Sequence, residues 1–245
     1  MNRPSIALEY AHYAKVQGQT FDSLWHEIMG LNPSTILDLG CGNGHFTQRL
    51  PNHFPLAKVV GLDVNEAMIV HAQLHHAHPQ ITYQVGDIMT HSIPESEVVL
   101  ANASLHWMTP FDGYLSRIQS VLSKNGVLVA SVFGPDTYWE LAATLGNVMG
   151  RPIVLAATQF LPPLELQSTC LKVFDRVKIW QVRYRECFPS VLGLLQSIKQ
   201  TGTRGNGIPG TIWTQGLIDE VDRVYRLRFR AIWATYQVTM IHASR

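Results

Sequence analysis

The stretch ILDLGCGNGHFTQRL, residues 36–50, decides the fold. An apolar, β-branched run carrying Asp38 gives way to Gly40-Cys41-Gly42-Asn43-Gly44, and an amphipathic segment follows. That order predicts a strand, a glycine turn and a helix in close succession. A strand running into Gly-x-Gly-x-Gly brings backbone N–H groups close to a ligand, because glycine admits unusual backbone angles and leaves room for approach. The dinucleotide pattern, G-x-G-x-x-G, requires glycine at 45, where His45 stands, so the spacing argues against a dinucleotide. The carboxylates add to this. Asp63 closes the next apolar run in VVGLDVN, and an acid at the end of a second strand accepts hydrogen bonds from ribose hydroxyls. Asp38, in D-x-G-x-G-x-G, favours a cationic, amine-bearing ligand over a diphosphate.

Outward from this stretch, strand and helix patterns alternate. Short apolar, β-branched runs at 35–39, 58–63, 81–85, 97–102 and 127–133 predict strands. Helical periodicity is expected at 44–51, 65–76, 111–122 and 136–149. Strands apolar on both faces belong to a parallel sheet covered by helices. Before them, residues 4–30 read as helical, with Gly18 as an interruption. After them come a proline-rich stretch to 163, a helix at 164–171, an alternating strand at 173–187, helices at 189–199 and 214–226, and a closing strand at 232–241. The chain is therefore expected to be a doubly wound α/β protein with a mostly parallel sheet, and 188–228 an excursion from it.

Composition excludes several classes. The formal net charge is +1 with 15% charged residues, which gives no global attraction to nucleic acid or membrane. Three cysteines, Cys41, Cys170 and Cys187, are too few and too scattered for a disulfide framework, and point to a reducing compartment with cytoplasm as the default. The amino-terminal segment lacks a continuous apolar core, so neither a signal peptide nor a membrane span is expected.

Four motifs in order, ILDLGCGNG, GLDVNEAM, VGDI and ANASLHWM, resemble those of class I methyltransferases that use S-adenosylmethionine. The resemblance implies a Rossmann-like, seven-stranded sheet with an antiparallel carboxy-terminal strand. It further implies that Gly40, Gly42 and Gly44 admit the methionine part, Asp63 takes the ribose hydroxyls and Met68 flanks the adenine. Asp87 with Ile88 would hold the adenine edge, while Asn102 and Ala103 would close the site near the methyl group. On this reading residues 1–245 form a single methyltransferase domain: a helical cap at 1–34, a cofactor-binding half at 35–150, and a substrate-side excursion with closing strands at 151–245.

Further segments narrow the resemblance. YAHYAKVQ from Tyr10, FGPDTYWEL from Phe133, LLQSIKQTG from Leu194 and ATYQV from Ala234 are similar to segments of the malonyl-acyl carrier protein O-methyltransferases of biotin synthesis. His106 departs from that family, which often has glutamine there, and resembles the aconitate-type carboxyl methyltransferases. The implied reaction is methylation of the free carboxylate of a malonyl thioester. A carboxylate is ionised at neutral pH, so it needs alignment and desolvation but no general base. Two alternatives stand beside it: methylation of a small free acid or other metabolite, and a non-catalytic assembly protein that keeps the cofactor fold.

Tyr10 and His106 are the candidates near the reacting carboxylate. Lys172, Arg176, Lys178, Arg183, Arg185, Lys199 and Arg204 concentrate positive charge where only Asp175 and Glu186 oppose it. Part of this group, with Arg183, Lys199 and Arg204 foremost, is expected to receive the acidic carrier protein. His71, His75, His76 and His78 bring no acid or thiolate that would complete a metal site, so no metal is expected. Cys41 reads as packing. There is no Gly-x-Ser-x-Gly elbow and no Gly-Lys-Ser or Gly-Lys-Thr phosphate loop.

Overall fold

The computed structural model describes residues 14–201 and 213–245. Tyr10 and Arg204 lie outside the described residues. The chain order is α1 (Lys15–Ile28), β1 (Thr35–Leu39), α2 (Leu50–His53), β2 (Lys58–Asp63), α3 (Glu66–His75), β3 (Ile81–Val85), β4 (Ser96–Asn102), α4 (Phe111–Val121) and β5 (Leu122–Phe133). It continues as α5 (Trp139–Met149), α6 (Pro163–Val173), β6 (Arg176–Phe188), α7 (Val191–Gln200), α8 (Gln215–Phe229) and β7 (Ile232–Ser244). The seven strands form one sheet in the order β3-β2-β1-β4-β5-β7-β6. The pairings among β1 to β5 are parallel, and the carboxy-terminal strand is antiparallel, as the sequence implied. No helix among the described residues is long and apolar enough to cross a membrane.

Two compact units share this chain. The described parts of 1–132, 163–181 and 239–245 form the first, and those of 133–162 and 182–238 the second. In the first, Ile36, Leu37, Leu62, Val99, Leu100 and Leu128 are fully buried on the sheet. Each such side chain contributes roughly 1.5–3 kcal/mol relative to exposure. Register then places the functional positions. Asp38 pairs with Gly61 on one side and Leu100 on the other, Asp63 with Val85, and Asn102 with Ser131. The carboxyl ends of β1, β2, β3 and β4 thus lie along one edge, and β1 and β4 flank the point where strand order reverses, the usual ligand crevice of an open α/β sheet.

In the second unit, two of the motif segments hold each other. Gly134 N–H donates to the Gln237 carbonyl at 2.9 Å, Tyr138 N–H to the Thr235 carbonyl at 2.7 Å, and Asp136 N–H to Gln237 Oε1 at 2.9 Å. The buried Glu140 carboxylate accepts from Thr235 N–H at 3.0 Å and also from its hydroxyl. The polar residues of FGPDTYWEL and ATYQV satisfy one another, which a buried carboxylate requires.

Several expectations are corrected. Gly18 does not interrupt α1; its N–H donates to the Ala14 carbonyl at 2.9 Å, an ordinary helical bond. The helix expected at 44–51 starts later, as a turn of 3-10 helix at Thr47–Arg49 followed by the short α2, because positive φ persists through Gly44 (+79°). The helix expected from 136 starts at Trp139, since Tyr138 itself sits in the left-handed region at φ +63°. Strand β5 begins at Leu122, five residues before the β-branched run that announced it.

Candidate active site

The glycine turn is built by two constraints. Gly40, at φ +75°, lies under Ser104: a Cβ there would come 2.4 Å from Ser104 Cβ, so close approach as well as backbone angle requires glycine. Ser104 reinforces the contact by donating its hydroxyl to the Leu39 carbonyl at 2.8 Å. Gly42, at φ +55°, is different, because a Cβ there would meet nothing within 4 Å. That position faces open space above the turn. Gly40 N–H donates back to the Leu62 carbonyl of β2 at 2.7 Å, which ties the turn to the neighbouring strand.

Asp63 meets the turn from the side. Its Oδ2 accepts from Gly42 N–H at 2.9 Å and its Oδ1 from Asn65 N–H at 2.8 Å. Burial pushes this carboxyl up from its ordinary value, and the two backbone donors oppose the rise. Each oxygen keeps a second lone pair for a hydroxyl donor. One turn beyond, Asn65 caps α3, its side chain accepting from Ala67 N–H at 3.1 Å and Met68 N–H at 3.4 Å, and half-buried Met68 stands in the first turn. Across β3, Asp87 Oδ1 accepts from Met89 N–H at 2.9 Å and Oδ2 from the Tyr114 hydroxyl at 2.9 Å. Ile88 next to it is a core side chain, fully buried.

Asp38 lies at the root of the turn, next to the end of β1. It is buried, with Thr47 Oγ1 donating to its Oδ2 at 2.6 Å. Burial pushes its carboxyl up to about 7, Thr47 lowers it and nearby Asp63 raises it further. The side chain holds the segment after the turn against β1. The Thr47 bond occupies one oxygen, Oδ2.

At the tip of β4, Asn102 is enclosed. Its Oδ1 lies 2.7 Å from the Thr20 hydroxyl and accepts from the Ser131 hydroxyl at 2.8 Å, while its Nδ2 donates to the Gln17 carbonyl at 2.8 Å. This amide therefore anchors α1 to the sheet. Ala103 follows at φ +50°, a left-handed conformation that costs an L residue about 1 kcal/mol, held by its N–H donating to Ser131 Oγ at 2.8 Å. His106, two residues after Ser104, is partly buried, and burial pushes its imidazole down to about 3. It is neutral at physiological pH and cannot act there as a cationic receiver.

The structure brings Gly40, Gly42, Gly44, Asp63, Met68, Asp87, Asn102 and Ala103 to one edge of the sheet. The basic group is more dispersed. Lys178 is paired with Glu27 at 3.0 Å, Arg183 with Asp136 at 3.0 Å, and Arg185 lies over the Trp233 ring. Lys199 is exposed in the last turn of α7. Sequence reasoning missed Thr20, Thr47, Ser104, Ser131 and Tyr114. All five are ordinary helix, strand or loop residues whose roles arise from tertiary contact, and no local spacing marks them.

These features fit a sulfonium nucleoside. A backbone turn with an open face at Gly42 and carboxylates at the end of β2 and just past β3 offers acceptors for a sugar and an amino-bearing base. The profile of a family described as "Methyltransferase domain" matches residues 36–126. A malonyl-[acyl-carrier protein] O-methyltransferase of Bacillus cereus is 28% identical over 251 residues, covering 98% of this chain and 93% of that protein. A trans-aconitate 2-methyltransferase of an Acidovorax species is 30% identical over 187 residues, 70% of this chain and 69% of that one. Among solved structures, the YcgJ protein of Bacillus subtilis superposes with a TM-score of 0.64 at 12% identity, over 93% of this chain and 99% of its own, a likeness of fold.

Proposed function

Because the chain belongs to the class I S-adenosylmethionine-dependent methyltransferases, we propose that it methylates the free carboxylate of a malonyl thioester carried on acyl carrier protein. The methyl ester formed would serve an early step of pimeloyl assembly for biotin. The observation that supports a carboxylate substrate is the similarity, over 98% of this chain, to a malonyl-[acyl-carrier protein] O-methyltransferase, with a trans-aconitate 2-methyltransferase beside it. A carboxylate, with an ordinary pKa near 4, has no proton to lose.

S-Adenosylmethionine, when bound, supplies an electrophilic methyl group on a positively charged sulfur. The chain's own part is to bind, align and exclude water. Gly40, Gly42 and Gly44 would receive the amino-acid portion, Asp63 the ribose hydroxyls, and Asp87 the base, while Ala103 and its Ser131 support fix the backbone at the tip of β4. Alignment of this kind lowers a barrier by several kcal/mol, on the order of 7–11 where it is complete. Tyr10, outside the described residues, is proposed to meet the substrate carboxylate through its phenol. Exposed Lys199 is proposed to receive the carrier, together with Arg204 and with Arg183 once released from Asp136.

The carrier-linked substrate is supported by the Bacillus cereus relative, whose similarity runs through nearly the whole chain. A small free acid is the second reading, supported by the Acidovorax relative and by the histidine at position 106. Incubation with methyl-labelled cofactor separates them. Label should appear on malonyl-acyl carrier protein as an alkali-labile ester. Label on trans-aconitate in preference, or on neither acceptor, would contradict the proposal.

A further inference from the structure

We propose that Tyr114 and Arg117, one turn apart on α4, are positioning residues that fix Asp87 and its loop for recognition of the 6-amino group of the cofactor's adenine. The inference rests on Asp87 reading the adenine, and goes beyond it by saying what makes that carboxylate selective. The segment 86–91 follows β3 without regular structure of its own. Two contacts from α4 determine its form. The Tyr114 hydroxyl donates to Asp87 Oδ2 at 2.9 Å, and Arg117 spans the loop, with Nε donating to the Ile88 carbonyl at 2.9 Å and Nη2 to the His91 carbonyl at 3.1 Å.

Other bonds hold the rest of the loop, with Gly86 N–H donating to the Asp63 carbonyl of β2 at 3.0 Å. Thr90 and His91 N–H groups both donate to the Asp87 carbonyl, at 3.0 and 2.7 Å, and the His91 ring meets Gln84 Oε1 at 3.0 Å. These bonds hold the backbone but leave the Asp87 side chain to its own two partners, Met89 N–H on one oxygen and the Tyr114 phenol on the other. With both oxygens bonded, the carboxylate cannot turn about its last torsion, and its remaining lone pairs keep one direction. Burial and the adjacent carboxylate hold the Tyr114 phenol above its usual range, so it stays a donor at every working pH.

An ionised carboxylate only accepts hydrogen bonds. Held still, it favours a 6-amino group and penalises a 6-oxo group, because two acceptors then face each other and a buried group goes unpaired. A mobile carboxylate turns away from the wrong base and loses that penalty. Discrimination between the two bases is therefore the property that Tyr114 controls.

The test titrates S-adenosylhomocysteine and its 6-oxo analogue, S-inosylhomocysteine, into wild type, Tyr114→Phe and Asp87→Asn by calorimetry, with thermal melts to verify folding. Wild type should bind the adenine ligand at least about 100-fold more tightly than the analogue. Tyr114→Phe should weaken the adenine ligand about 5- to 20-fold and bind the analogue somewhat more tightly than wild type does, so the ratio narrows. Its effect should shrink in the Asp87→Asn background, as expected for a residue acting through Asp87. Should Tyr114→Phe fail to fold, Arg117→Lys, which loses part of the loop contact, carries the same comparison. Equal weakening of both ligands, or none, while Asp87→Asn still acts selectively on the adenine ligand, would overturn the positioning role alone. No effect of Asp87→Asn on either ligand would overturn the adenine assignment and the inference with it.

Discussion

Asp63 and Gly42 are joined by a hydrogen bond of 2.9 Å, from the backbone N–H of the glycine turn to the carboxylate at the end of β2. The bond ties together the tips of the first two strands. The carboxylate orients the turn, and the turn's amide offsets part of the cost of burying the carboxylate. A carboxylate and an amide fixed on each other in this way reduce the ordering cost of binding.

The glycines of the turn should respond differently to substitution. Gly42→Ala places a methyl group in open space at φ +55°, so stability should fall by about 1–2 kcal/mol from backbone strain alone. Affinity for S-adenosylhomocysteine should fall more than tenfold, because the methyl occupies the ligand's place. Gly40→Ala adds a clash with Ser104 and should cost about 1–3 kcal/mol more. Urea melts and ligand titrations check both; undiminished binding by folded Gly42→Ala would count against the open face as the cofactor's seat.

Asp38 should impose a pH dependence on folding. Its folded pKa, about 7, lies above the ordinary value of 3.8, so the folded chain holds a proton that the unfolded chain loses between those values. This group's contribution is complete below about pH 4 and is lost as pH rises toward 7, by at most about 4 kcal/mol. Asp38→Asn keeps an acceptor for Thr47 and removes the slope. Denaturation at pH 5 and pH 8 should show the variant gaining relative to wild type at the higher pH. Parallel pH curves would show that Asp38 is ionised throughout.

His106 should not titrate in the working range. With its imidazole near 3, its ring resonances should stay constant between pH 4.5 and 8. A midpoint near 6.5 would contradict the desolvation of the ring.

Reversal of charge at Lys199 and Arg204 should raise KM for malonyl-acyl carrier protein at least several-fold and leave KM for a small malonyl thioester nearly unchanged. The rise should shrink at high salt, as screened attraction requires. Equal changes for both substrates would separate these residues from carrier docking.

Much of the first unit was legible because its signals are local. The β-branched runs at 35–39, 58–63 and 81–85 become β1, β2 and β3 with the same bounds, and Asp63 closes β2 as its position in GLDVN indicated. The start of regular helix after the glycine turn was not legible, since it depends on how far positive φ persists. Asp38 shows a related limit: spacing places it beside the turn, but only the fold reveals that Thr47 returns to bond it. Asn102 shows the same limit. Its sequence context announces the tip of β4, whereas its partners Thr20, Gln17 and Ser131 lie far away along the chain.

The most direct measurement is calorimetric titration of S-adenosylhomocysteine into ligand-stripped wild type and Asp63→Ala. Wild type should bind at one site per chain with micromolar or tighter affinity. The variant should remain folded and bind at least about 100-fold more weakly, as expected when a buried acceptor of two hydroxyls is lost. Equal affinity in the two proteins, or no binding by folded wild type, would contradict a cofactor seat at the tips of β1 and β2.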